Sequence, residues 1–492
     1  MISLLTAAEM RGLEQQAIGV WGIPSLVLQE HAALGALALL PPGQPIQILA
    51  GPGNNGGDAL ALARLARLQG RTVTVWTLKA APQWSGDAAL QAHLWEGLGG
   101  TYQFSAEPCR ALAGFRGWVV DGLFGLGSRL PLTGLARDWV AALAAAAAAP
   151  DRGFQVLALD LPTGLDPSSP EVAGVAVRAD RTACFGHLKV CHGLRPAREL
   201  CGEVTVIHLP LAEAPDSGLE LLEHPGPIRP GPWDSHKRDF GHVAIRAGSS
   251  GMSGAAVLAA LGALRMGAGL VTVLTDPEVR SEVAAQVPEA MVCAWEGRVP
   301  AGIDALLVGP GGIAELPEWD GPLVLDASAL RAGEGPRWMA RPQTVITPHP
   351  GEFNRLFRPI PPLGHGTADR LAQARAVATG PGILVLKGAQ SVIAGGAETR
   401  LWVNPTGHGG LSAGGSGDFL AGMILAKVGQ WQKLREREPQ ASPRHLRAAV
   451  AEAVWLHGAA ADRLGQGPLM VRDLGPSLAE LLHEAARGDV HE

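Results

Sequence analysis

The sequence predicts an α/β protein of two domains, each built on a doubly wound parallel sheet. Three observations carry that expectation. Short apolar runs of strand length alternate with Ala- and Leu-rich stretches of helix length. Loops rich in glycine and carboxylate follow the strand ends, first at Gly51-Pro52-Gly53-Asn54-Asn55-Gly56-Gly57-Asp58. A proline-punctuated stretch, 210–234, then breaks the pattern before β patterning restarts at Gly241-His242-Val243-Ala244-Ile245. The expected domains are 1–213 and 233–492, with 214–232 as linker.

In the first half, residues 6–19 read as a helix with Thr6 as N-cap and Glu9 at the capping-box position. A second helix spans Pro24 to Leu40 and is stopped by Pro41, Pro42, Gly43 and Pro45. Ile46 to Ala50 is a buried strand, Gly51 to Asp58 a loop, and Ala59 to Leu68 a helix. Thr72 to Leu78 is a strand and 85–98 a helix. Trp118 to Asp121 is a short strand ending in a carboxylate, the Ala-rich run 141–149 a packed helix, and Phe154 to Leu159 a strand running into Asp160.

The second half repeats the scheme. Strand-end loops are expected at Gly248 to Ala256, which joins a strand to a helix, and at Gly309 to Gly312, Asp326 to Ala329, Thr347 to Glu352 and Lys387 to Ala389. Gly414-Gly415-Ser416-Gly417-Asp418 opens another helix, and 443–464 and 470–486 close the chain as helices.

With 492 residues, 47 % of them apolar, the chain can bury large cores. A net charge of −6 without a basic run argues against nucleic acid as a partner. The five cysteines are scattered without C-x-x-C spacing, which suits reduced structural thiols. No signal peptide or long uncharged apolar span is visible, so a cytoplasmic protein without a membrane partner is expected. A homo-oligomer is the expected state.

The Gly51–Asp58 stretch has four glycines, which free the backbone and let a ligand approach it. Its two amides and one carboxylate add oxygen acceptors that a bare phosphate cradle would not need. Any one of Asn55, Asp58, Asp121 or Asp160 could be a cap or turn residue. Together at strand ends they favour one shared site, because open α/β sheets bind ligands along that edge. In the second half, small residues at a helix start make an anion hole, and Asp418 directly after it can take a proton from a hydroxyl as a phosphoryl group arrives. Lys387 could meet a nucleotide phosphate, and His349, between two prolines, favours ligand contact over a structural role.

Two motif sets then combine. Gly51 to Asp58, Val120-Asp121-Gly122-Leu123-Phe124-Gly125-Leu126-Gly127 and Leu159 to Asp166 resemble the NAD(P)H-hydrate epimerase family. Gly241 to Val243, Gly248 to Ala256, Thr347 to Glu352, Lys387-Gly388 and Gly414 to Asp418 resemble ADP-dependent NAD(P)H-hydrate dehydratase, a ribokinase-like family. The resemblance spans nearly the whole chain. It implies a Rossmann-like three-layer first domain and a ribokinase-like α/β/α second domain. It also implies repair of hydrated NADH and NADPH. The first half would interconvert the R and S hydrates; the second would dehydrate the S form with ADP, giving AMP and phosphate.

Residue by residue, the resemblance implies hydrate contacts from Asn54, Asn55, Gly56, Gly57 and Asp58, from Gly125, Leu126, Gly127, Ser128, Arg129, Leu130 and Pro131, and from Asp160 as acid/base. Asn55, Asp121 and Thr163 would hold K+, although the family commonly has Ser where Thr163 stands. In the second half Ala255, Gly311, His349 and Asp418 would face the hydrate, with Asp418 as base. Lys387, Gly388, Ala389, Gln390 and Ser391 with Gly415, Ser416 and Gly417 would face ADP and its Mg2+. Departures from the family pattern stand at Gly312-Ile313, where Leu-Gly is usual, and at Ser328, where Asp is usual. Two rivals remain at this stage: a ribokinase-like kinase of a small hydroxyl compound fused to a binding domain, and a first half that is only a ligand-sensing module.

Overall fold

The computed structural model describes residues 1–108, 112–225, 233–358, 360, 364, 366–437 and 443–487. Cys109 and the prolines at 227, 230 and 232 lie outside them. The chain divides into two units between Ser217 and Gly218.

The first unit holds a seven-stranded sheet, parallel throughout. Its order is Tyr102–Phe104, Val73–Thr77, Ile46–Ala50, Gly117–Gly122, Phe154–Leu159, Arg181–Phe185, Glu203–Ile207. Side chains alternate across it, as strand geometry requires. Ile46, Ile48, Ala50, Trp118 and Val120 pack under the helices Ser25–Ala38, Asn54–Leu68 and Gly86–Gly97. Leu49, Val119, Val156 and Ala158 pack against the opposite helix, Gly134–Ala148. From Ile46–Ala50 the chain builds outward to one edge, then returns to build toward the other from Gly117–Gly122. That reversal opens a crevice at the carboxyl ends of these two strands.

The second unit's sheet runs from Leu219–Leu221 through Leu401–Val403, Val392–Gly395, Ile383–Leu386, Thr344–Ile346, Leu323–Leu325, Ala305–Val308, His242–Arg246 and Leu270–Thr275 to Met291–Ala294. These pairings are parallel except around Val392–Gly395, which is antiparallel to both neighbours. The main core joins alternate strand residues to the helices Ser253–Arg265, Ser416–Arg437, Pro443–Leu464 and Leu474–Arg487. The order reverses again between His242–Arg246 and Ala305–Val308, which sets the second crevice.

Most expected elements form where they were placed. The first helix is Ala7–Gly19, and both halves of the Thr6–Glu9 capping box are made. Phe154–Leu159 matches its expected range. Three readings change. The stretch Gly51–Asp58 is not a loop throughout, because the helix Asn54–Leu68 starts inside it. The glycines there do not adopt positive φ. They are needed for close packing: a Cβ on Gly51 would sit 1.7 Å from the Leu123 carbonyl oxygen, and one on Gly56 would sit 1.8 Å from the Gly51 carbonyl oxygen. Asp121 lies inside the strand Gly117–Gly122, not past it. Finally, Leu219–Leu221, within the stretch expected to link the domains, is a strand paired with Leu401–Val403.

Candidate active sites

The first crevice opens into a cavity of about 550 Å³. Asn54, Asn55 and Asp58 line it from the first two turns of the helix Asn54–Leu68. Gly125, Leu126, Gly127 and Ser128 line it from the loop after Gly117–Gly122, and Asp160 from the end of Phe154–Leu159. Of the other expected contacts, Gly56 and Gly57 serve packing, and Arg129, Leu130 and Pro131 do not line the cavity.

Asp160 has φ of 65°, a left-handed conformation unusual for a residue with a Cβ. Such strain persists where the surroundings impose it. Its N–H donates to the Ala183 carbonyl at 2.8 Å. Its Oδ1 takes a 2.5 Å bond from the Lys189 ammonium. Lys189 is fully buried and also donates to the Phe185 carbonyl at 2.6 Å. Burial works to lower the pKa of Lys189, but the Asp160 carboxylate and Cys184 outweigh it, and it is raised. The other oxygen of Asp160 faces Gly125, where a Cβ would lie 3.4 Å from both Asp160 Oδ2 and the Asn55 side-chain carbon Cγ.

Four carboxyl groups share this cavity: Asp160, Asp58, Glu14 and Asp87. Burial, then the charges of Asp160 and Glu14, push Asp58 well above the usual carboxylate range, against a hydrogen bond from Gln29. Both polar atoms of the Asn55 side chain, and Oε1 of Gln29, are buried without a partner. Orphans of this kind mark a place for a ligand, water or ion.

Behind the cavity, Asp121 is fully buried and accepts from the Thr163 N–H at 2.8 Å and the Thr163 hydroxyl at 2.7 Å. Burial pushes Asp121 up to about 6, and these bonds with that from Leu123 hold it back. The sequence placed both residues in one cluster, and the structure brings them into direct contact.

In the second unit Asp326 follows the strand Leu323–Leu325 and is buried. Its Oδ1 accepts from Lys387 Nζ at 2.7 Å and the Thr347 hydroxyl at 2.8 Å. Gly417 stands over this pair, since a Cβ there would lie 3.2 Å from Lys387 Nζ. Asp418 is on the first turn of the helix Ser416–Arg437. Burial, then Asp326, with Glu352 adding and Lys387 opposing, pushes it up to about 7. A carboxylate so tuned is suited to proton transfer near neutral pH. The Ser416 N–H donates back to the Ala413 carbonyl at 3.3 Å, so the free amides of the anion hole are those beside it.

Ser249 donates twice to the Gly311 carbonyl, from N–H at 3.1 Å and from its hydroxyl at 2.8 Å. This joins the loop that precedes the helix of Ala255, Ser253–Arg265, to the loop of Gly311. His349 caps the helix Pro350–Leu356, its Nδ1 accepting from the Gly351 N–H at 3.0 Å. It therefore has a structural task, with its other face exposed. Gln390 and Ser391 are in the turn after Lys387, where Arg370 donates to the Gln390 carbonyl at 3.2 Å.

Sequence reasoning did not assign roles to Glu14, Gln29, Lys189, Asp326, Arg370 or His457. Two of them carried a legible signal: Asp326 immediately follows a strand, and Lys189 lies four residues past one. His457 is buried, 3.3 Å from the Ser416 hydroxyl, and burial with the Lys387 charge lowers it to about 4.

Two units, each a largely parallel sheet with a carboxylate–lysine pair past the carboxyl ends of its strands, define a two-site α/β enzyme. Residues 27–191 match the family model described as YjeF-related protein N-terminus, and residues 243–482 match NAD(P)H-hydrate dehydratase. A bifunctional NAD(P)H-hydrate repair enzyme of Gloeobacter violaceus is 35 % identical over 94 % of this chain and 93 % of its own. One from Coxiella burnetii is 34 % identical over 98 % of this chain and 100 % of its own. A solved structure of ADP/ATP-dependent NAD(P)H-hydrate dehydratase from Bacillus subtilis, co-crystallised with ATP and Mg2+, covers 53 % of this chain and 95 % of its own, at 31 % identity and a TM-score of 0.43. The chain belongs to the bifunctional NAD(P)H-hydrate repair enzymes. The full-length matches disfavour the kinase and the sensing-module alternatives. Among the described residues, no helix is long and apolar enough to cross a membrane.

Proposed function

We propose that this chain repairs hydrated NADH and NADPH at two sites. The first unit interconverts the R and S hydrates. The second dehydrates the S hydrate with ADP, yielding the reduced cofactor, AMP and phosphate. The observation that carries the reading is the pairing of two carboxylate-centred crevices, Asp160 with Lys189 and Asp418 beside Lys387, in a chain whose relatives bear both activities.

In the first unit Asn54, Asn55, Asp58 and the Gly125–Ser128 loop would hold the hydrate while Asp160 moves the proton. The residues fit a potassium ion. Asn55 Oδ1 is buried without a partner, and Asp121 and Thr163 add oxygen donors close by, the set a hard cation prefers. The ion would supply fixed positive charge, and the three residues would orient it. In the second unit Asp418 would deprotonate the carbinol hydroxyl as phosphate arrives from ADP, making that oxygen a good leaving group. The amides of Gly415 and Gly417 with Lys387 would hold the phosphoryl group, and Mg2+ would travel with the nucleotide. Ala255, Gly311 and His349 would border the hydrate.

The proposed compartment is the cytoplasm, supported by free, buried Cys184, Cys191 and Cys201. A homo-oligomer is supported by the exposed apolar Ile18, Val20, Trp21 and Leu34, and sedimentation as a monomer would refute it.

The test is recovery of reduced nicotinamide absorbance from mixed-epimer hydrate with ADP, Mg2+ and K+. Full recovery supports both activities. Recovery stalled at the S fraction removes the first. No recovery with ADP or ATP removes the proposal.

A further inference from the structure

The helix Ala7–Gly19 precedes the segment matched to the family model, which begins at residue 27. Even so, it supplies Arg11, Glu14 and Ile18 to the cavity wall. Arg11 ties the helix down by donating to the Leu126 carbonyl at 2.6 Å. Glu14 is partly exposed, so it can exchange protons with solvent.

An epimerase must accept both epimers. The carbinol carbon of the hydrate is bonded to the ring nitrogen, so loss of the hydroxyl leaves an iminium cation. Water must then return on the other ring face. One group gives a proton to the departing oxygen, and a second takes one from the entering water. With two such groups on separate walls, the roles swap for the opposite epimer. Asp160 is one, with Oδ1 held by Lys189 and Oδ2 turned toward Gly125.

We propose that Glu14 is the second catalytic carboxyl of the first site, working across the cavity from Asp160. In one direction the Glu14 carboxyl protonates the carbinol oxygen. The C–O bond breaks, water departs, and the nitrogen lone pair forms the C=N bond. A water then adds to the opposite face, and its proton passes to Asp160. The chain is left with the proton on Asp160 instead of Glu14, ready for the other epimer, and no net proton is consumed. The cationic intermediate sits in a cavity lined by Glu14, Asp58, Asp87 and Asp160.

The groups facing Glu14 suit this role. Burial and the Asp160 charge raise it, while Lys189 and Arg11 oppose. Asp58 also faces it, and Asp87 lines the same cavity. Asp58 is raised further and accepts from Gln29, which suits it to stay neutral and donate a hydrogen bond.

The proposal rests on epimerisation by the first unit, so wild-type protein without epimer exchange would sink that reading first. Given exchange, Glu14→Gln in the full chain is compared with wild type by chromatographic resolution of the two hydrates. The expected result is turnover lower by roughly 100-fold with an unchanged KM, the scale of a lost general acid. Glu14→Asp should recover part of the rate and move the alkaline limb of the pH profile to lower pH, because aspartate is the stronger acid. In labelled water, each interconversion should place one solvent oxygen on the carbinol carbon. Wild-type turnover in Glu14→Gln would overturn the proposal. So would an unmoved limb in Glu14→Asp, which also decides the matter if Glu14→Gln fails to fold. Epimer exchange without solvent oxygen would overturn the C–O cleavage.

Discussion

The ammonium of Lys189 lies 2.5 Å from Oδ1 of Asp160, and bulk water reaches almost none of either side chain. In so dry a place the pair is held by mutual charge and the Phe185 carbonyl. Lys189→Met would leave a buried carboxylate without its partner. We expect a stability loss of about 3–5 kcal/mol and loss of epimer exchange. Denaturant unfolding of the full chain, with an epimer assay at low temperature, checks both.

Asp160→Asn should abolish epimer exchange and leave dehydration of pure S hydrate intact. Asp418→Asn should do the reverse. Each variant is assayed with separated epimers. Loss of both activities in either one would contradict two independent sites.

Asp418 serves as a base only when ionised, and its site pushes it up to about 7. Dehydratase kcat/KM should therefore rise with pH through about 7 and then level. A flat profile from acid to neutral pH would show that another group takes the proton.

At the proposed potassium site the ion would compete with protons for Asp121, which burial pushes up to about 6. Apparent potassium affinity in epimerisation should weaken as pH falls through about 6. Asn55→Ala should weaken it at every pH. Titration of rate with K+ at several pH values measures both effects, and rates indifferent to K+ would discard the site.

Gly56→Ala would drive a methyl to 1.8 Å from the Gly51 carbonyl oxygen, whereas a Cβ on Gly53 meets nothing within 4 Å. The first change should destabilise the first unit by several kcal/mol and the second should not. Thermal unfolding of the two variants distinguishes packing glycines from permissive ones.

The sequence made the sheets legible because buried parallel strands are short apolar runs, as at Phe154–Leu159. It made Asp160, Asp121 and Asp418 legible because their positions follow from those strands and from a helix start. It did not show that Asn54 already lies in a helix, since an Asn-Asn-Gly-Gly run reads as a loop by propensity and only tertiary packing overrides it. Lys189 and Glu14 escaped for another reason. Their importance comes from facing Asp160 across long stretches of chain, and no local pattern encodes that. The structural role of His349 also needed the structure, because its helix is one short element with the imidazole as cap.

The chain passes from Ser217 to Gly218 without leaving the polypeptide, so one sheet follows the other in a single product of translation. Every molecule made carries one copy of each site. Dosage is thereby fixed: no change in expression level can produce a surplus of one activity over the other. Since only one epimer is consumed directly, a shortage of the first activity would strand the other epimer, and a one-to-one gene product prevents that imbalance by inheritance instead of by regulation.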